Sequence, residues 1–205
     1  MAEIMVVTRN SLFGGKREFI GFQEKSKGLS VLPNIMKYPW WMEREAAENS
    51  TMYKQPIAYI VLLSCDRKVF VYQRSKEDAD CHEKRLQGKF SLGVGGHIKP
   101  IDKDSPDGVI LGSMRREVKE EIEEEIDCEN ARLLGFINLD HDVHAVHFGL
   151  LYVIQTNLSH LTPKDPEITT GEFRTILDLR NIIKENDVEE WSKVAFDPLC
   201  EFLQN

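Results

Sequence analysis

The chain has 205 residues, 41% of them hydrophobic and 29% charged, and a formal net charge of −8. That length holds one large domain, or a domain with an extension, and the composition is that of a soluble globular protein. A nucleic-acid polymer needs a basic footprint, so the acidic balance argues against a duplex-binding role.

No apolar run reaches the ~18 residues of a membrane span, and Glu3 breaks any signal-peptide pattern. Cys65, Cys81, Cys128 and Cys200 are widely spaced, with no C-x-x-C pair, and read as reduced cytosolic thiols. The expectation is a cytoplasmic protein without membrane or nucleic-acid partners. Along the chain, residues 4–8 read as a short strand, 11–15 as a turn and 19–22 as a second strand. Pro39 and the pair Trp40-Trp41 open a predicted helix over 40–49. Burial is the ordinary fate of such aromatics. Shaping a substrate pocket or making a homodimer contact are the other roles open to them. Residues 57–64 and 68–74 form a predicted hairpin around Cys65-Asp66-Arg67. A charged loop over 75–86 and a short strand over 90–94 follow.

Next comes a glycine-dense turn (Gly93, Gly95, Gly96), then a polar loop in which Ser105-Pro106 offers the start of a long helix. Strands are predicted over 132–139 and 148–155. Helices follow over 177–186 and 188–203, the last broken or kinked near Pro198. Mixed strands with one long helix between them and helices at the end predict an α/β/α sandwich.

The long helix carries Arg116, Glu117, Glu120 and Glu121. At ~100° per residue, Glu117, Glu120, Glu121 and Glu124 fall within an arc of ~100°. Like charges at these spacings cost a few tenths of a kcal/mol per pair, and most such runs are solvated faces. Here the opposite face carries Leu111, Met114, Val118, Ile122 and Ile126, so the helix packs on a core. The glycine turn upstream lets backbone approach closely. Arg116 stands one turn before Glu120 and can orient it. Carboxylates converging under those conditions suit Mg²⁺ or Mn²⁺. His141, His144 and His147 follow one another at spacings of three, but a zinc site built on them lacks an evident fourth ligand.

The run Arg116-Glu117-Val118-Lys119-Glu120-Glu121 resembles the R-E-U-x-E-E core of the Nudix (MutT-like) box, where U is aliphatic. Gly96 resembles the opening glycine of that box. Residues 58–74 resemble the strand-turn-strand before it, and 88–97 the segment entering it. The stretch from Gly96 to Arg116 is about six residues longer than the pattern, and Gly108 stands where the first glutamate belongs. Glu123-Glu124 replaces the closing G-U, so the helix is expected to run on.

The resemblance covers roughly 56–200. It implies a Nudix-type α/β/α sandwich with a mixed sheet and a hydrolase domain over 56–205; residues 1–55 lie outside it, and because 4–8 and the Trp40-Trp41 segment are too apolar for a disordered tail they are expected to pack on the core as an N-terminal extension. It further implies metal-dependent cleavage of a diphosphate linkage in a small molecule of the nucleoside diphosphate-X type. Glu117, Glu120, Glu121 and the Gly96 carbonyl would hold Mg²⁺ or Mn²⁺, with Glu120, Glu121 and Arg116 catalytic. His97, Arg74 and Glu172 would meet the substrate, and Glu167 and Glu172 are the acids available as an extra base. Two rival readings are a nucleotide-binding sensor without catalysis and an isopentenyl-diphosphate isomerase-like enzyme. An intact R-E-U-x-E-E speaks against the first, and the lack of a cysteine in the turn VGGH against the second.

Overall fold

A computed structural model describes residues 2–28, 30–75, 86–164 and 168–204. Cys81, Glu167 and all but the ends of the expected charged loop over 75–86 lie outside the described residues. The chain is α/β and divides into two compact units. One comprises residues 1–59, 95–114 and 133–152; the other comprises 60–94, 115–132 and 153–205.

In the first unit, β1 (Glu3–Thr8) is apolar on both faces, with Ile4, Met5, Val6 and Val7 no more than 2% exposed. A strand buried on both sides reads as a continuous hydrophobic run, not an alternation. It pairs antiparallel with β3 (Trp40–Glu43), from Glu3↔Glu43 to Val6↔Trp40, and with the start of β4 (Tyr53–Leu63) at Val7↔Lys54. The helix expected over 40–49 is thereby corrected: Trp40 to Glu43 are strand, and only α3 (Arg44–Glu48) is helical. Bulky aromatics favour a pleated edge, and Pro39 sets up an extended entry without needing a ladder donor. The turn expected at 11–15 is likewise a one-turn helix, α1 (Arg9–Phe13), capped by the Thr8 hydroxyl accepting from Ser11 N–H.

A further helix, α2 (Val31–Lys37), had no clear periodic signal. β2 (Gly21–Glu24) pairs antiparallel with β7 (Arg132–Asn138). The strand order in this unit is β2-β7-β8-β4-β1-β3, where β8 is His147–Gln155. Phe13, Phe19 and Phe148 meet edge to face at 5.9 to 6.1 Å and fill its core.

Lys54 on β4 is fully buried, its Nζ donating to Leu139 O at 2.9 Å and His144 O at 3.2 Å. Burial, helped by the charge of Arg9, lowers its pKa to about 8. A lysine depressed in the folded state opposes folding while it is charged in both states, below pH ~8, and the opposition fades as pH rises towards the unfolded value near ~10.4. Chemical denaturation should therefore show this contribution to stability growing between about pH 8 and 10, and Lys54→Met should flatten that rise. Parallel pH profiles for the two proteins would contradict this.

In the second unit, β5 (Val69–Arg74) lies between β9 (Ile168–Arg174) and the short β6 (Phe90–Ser91), and meets the end of β4 at Leu63↔Val69. β9 lies between the elements predicted over 148–155 and 177–186; its Gly171 leaves room for the Phe70 ring. The strand expected over 90–94 is interrupted because Leu92 N–H turns to Ser192 Oγ, although Val94 exchanges two backbone bonds with Ile60. Residues 187–189 run beside β6, with Val188 bridging Phe90 in parallel. α5 (Ile176–Glu185) starts at a Thr175–Asp178 capping box. α6 (Glu190–Gln204) is continuous through Pro198 and buries Trp191, Ala195 and Leu199.

The box helix, α4 (Val109–Glu121), starts later than Ser105-Pro106 suggested. The inserted residues instead form a 3-10 turn, Pro100–Asp104, and Gly108 at φ +95° makes the sharp entry. The helix also stops at Glu121 and does not run on. Glu123 N–H bonds to Thr162 O, and Lys164 N–H to Glu121 O, so a neighbouring segment takes over the terminal backbone groups.

Candidate active site

Met114 and Val118 on α4 and Ile122 just past its end are 1 to 2% exposed, while Leu111 and Ile126 of the predicted stripe are half-buried. Glu117 and Glu121 are 7% and 8% exposed, whereas Glu120 is exposed. Arg116 Nη1 donates to Glu117 Oε1 at 2.5 Å and to Glu120 Oε2 at 3.2 Å. One guanidinium thus fixes two of the three box carboxylates. Glu124 does not belong to this face. It lies past the helix end, and its carboxylate accepts from Thr162 N–H and Oγ1, both at 2.8 Å.

Arg74 sits at the end of β5. Its Nε donates to Glu189 Oε1 at 2.8 Å and its Nη2 to Tyr72 Oη at 3.3 Å. Glu189 Oε2 accepts from Ser91 Oγ at 2.7 Å, and Tyr72 Oη donates to Gly93 O at 2.9 Å. Tyr72 and Glu189 are buried, so this network is desolvated. Tyr72 does most to hold the Arg74 guanidinium above its ordinary range, against the cost of burial, and Glu189 and Glu121 add to it. Burial raises the Tyr72 phenol. Glu189 and Ser91 had no signal in the sequence, because their roles come from pairings across 115 and 98 positions of chain. Glu172 is an exposed residue of β9 ion-paired to Arg174.

In the other unit, Gly95 has φ +143°, and a Cβ there would collide with the Ala58 carbonyl oxygen. Gly95→Ala should cost at least ~2 kcal/mol, from backbone strain and clash together. An unchanged urea midpoint would show that the turn tolerates a side chain. Gly96 follows, and His97 bridges Ile57 antiparallel. The His97 ring meets Gln55 and His147. His141 and His144 face each other edge-on at 5.8 Å, whereas the His147 ring meets that of His97. Among the described residues, no three His, Cys, Asp or Glu side chains form a ready metal-holding group.

No family model matches the chain. It is 32% identical to Protein YmaB of Bacillus subtilis (strain 168) over 204 residues, 96% of each protein. Its structure resembles that of Tm1382, a candidate Nudix hydrolase, with a TM-score of 0.79 and 26% identity over 98% of this chain and 99% of that one. A bifunctional NMN adenylyltransferase/ADP ribose pyrophosphatase from Francisella tularensis, solved with AMP and a manganese ion, shares the fold. It matches at a TM-score of 0.52 and 14% identity, over 73% of this chain and 42% of that one. The chain therefore belongs to the same family as Protein YmaB, and its fold, with the R-E-V-K-E-E run on α4, is that of the Nudix hydrolases. No helix among the described residues is long and apolar enough to cross a membrane.

Proposed function

We propose that the protein is a metal-dependent pyrophosphohydrolase that cleaves the diphosphate linkage of a nucleoside diphosphate-X compound. The observation that carries this reading is the carboxylate set of α4, with Arg116 bonded to Glu117 and Glu120. Glu117 and Glu121 are one turn apart and nearly buried. Two like charges in such a position repel, and all-oxygen donors fit a hard divalent cation. Glu117, Glu120 and Glu121 would hold Mg²⁺ or Mn²⁺. When bound, the ion supplies charge screening for the phosphates and a lowered pKa for the attacking water. The nucleotide and manganese of the Francisella neighbour are in keeping with this chemistry.

The side chains divide the remaining work. Arg116 orients Glu117 and Glu120. Glu120 is the exposed member of the set, and it or an acid of the later segment such as Glu172 would take the proton from water as it attacks phosphorus. Arg74, held by Glu189 and Tyr72, presents fixed positive charge to phosphate oxygens. A screen of nucleoside diphosphate-X compounds with Mg²⁺, reading released monophosphate, tests the proposal. Turnover of at least one such compound is expected. Binding of the same compounds without turnover would favour a sensor instead.

A further inference from the structure

We infer that Gln55, His97 and His147 form a binding site for a late first-row divalent metal ion such as Zn²⁺, Co²⁺ or Ni²⁺. The three side chains come from β4, from the segment after the glycine turn, and from the first residue of β8. Gln55 is fully buried and His147 is 9% exposed. His147 Nδ1 lies 2.7 Å from Val143 O. A carbonyl only accepts, so Nδ1 carries the proton of the neutral ring and Nε2 carries a lone pair.

That lone pair points to His97 Nε2 at 3.2 Å, and His97 Nε2 is also 2.6 Å from Gln55 Oε1. Two imidazole nitrogens bound tetrahedrally to zinc, each at about 2.0–2.1 Å, stand about 3.3 Å apart. The two rings already hold their nitrogens at nearly that spacing. Without a metal, one proton on His97 Nε2 serves both acceptors. Metal binding requires that proton on Nδ1 instead, a change of tautomer with no net loss of charge.

Two further features favour a ligand here over simple packing. Gln55 Nε2 is buried with no hydrogen-bond partner, while its Oε1 faces the histidines. An unsatisfied buried amide is a cost that an apolar residue would avoid. The bond from His147 Nδ1 to a backbone carbonyl is also the usual outer support of a metal-bound imidazole. Imidazole with a neutral amide oxygen selects zinc-like ions over Mg²⁺, whereas the carboxylates of α4 have the opposite preference.

Calorimetric titration of the full chain with ZnCl₂, repeated by Co²⁺ absorption, tests the assignment. One equivalent is expected to bind to the wild-type protein. His147→Ala and His97→Ala should each weaken it at least tenfold, and Glu121→Gln should leave it unchanged. To separate loss of a ligand from loosening of the turn, His147→Gln and a Zn²⁺-dependent rise in Tm of the wild type serve as the second readout. A wild type that takes up no zinc, or His147 variants that bind it as the wild type does, would overturn the inference. So would loss of the site in Glu121→Gln, which would assign the zinc to α4. None of these outcomes depends on hydrolysis, so the site and the proposed activity can fail separately.

Discussion

Replacing Glu121 by Gln is expected to lower kcat by at least ~100-fold, because losing a metal ligand removes several kcal/mol of transition-state stabilisation. Glu120→Gln should do the same if that carboxylate takes the proton. The amide matches the carboxylate in shape, so the fold should survive. Glu121 is only 8% exposed and stands one turn from the equally shielded Glu117. Removing one of two like charges at that spacing relieves repulsion of a few tenths of a kcal/mol, so Tm should hold or rise slightly. Activity and stability thus move apart, which a purely structural residue would not produce. Near wild-type rates for both variants on a turned-over substrate would reduce these acids to surface charge.

The second large effect concerns residues 1–55, which we propose are an integral part of the folded hydrolase. Removing residues 1–50 takes away β1, whose Ile4, Met5, Val6 and Val7 are almost wholly buried. It also removes the bond from Met5 N–H to Ile98 O and the ion pairs of Arg9 with Glu18 and Asp140. Each large apolar side chain returned to water costs ~1.5–3 kcal/mol, so losing four approaches the whole stability of a typical domain. The start of β4 would lose its neighbour and expose an edge that invites aggregation. Expression of the truncated chain should give insoluble or unfolded material. A soluble truncated protein with the full-length Tm and unchanged turnover would show that the segment is dispensable.

Helix α4 was legible because its information is local. The apolar stripe through Met114, Val118 and Ile122, the pairing of Arg116 with Glu120, and the R-E-V-K-E-E run all lie within a few turns of chain. The errors have physical causes outside the local sequence. Trp40 and Trp41 became strand because β1 offered them a ladder, so tertiary pairing overrode the local signal, and β9 is likewise held by its pairing with β5. The end of α4 is set by Thr162 and Lys164, some forty residues away, not by the glutamates that follow it. The partner that fixes Arg74, Glu189, lies 115 positions later and so leaves no local trace. His97 gained its meaning only with Gln55 and His147 beside it.

The most direct test of the central claim is turnover of a diphosphate substrate in excess chelator, followed by titration with Mg²⁺. The carboxylates of α4 predict that chelation abolishes hydrolysis, that Mg²⁺ or Mn²⁺ restores it, and that Glu121→Gln raises the Mg²⁺ concentration needed for half-maximal rate. Full activity in chelator, with no response to added metal, would contradict the assignment of these residues to a metal-dependent pyrophosphohydrolase site.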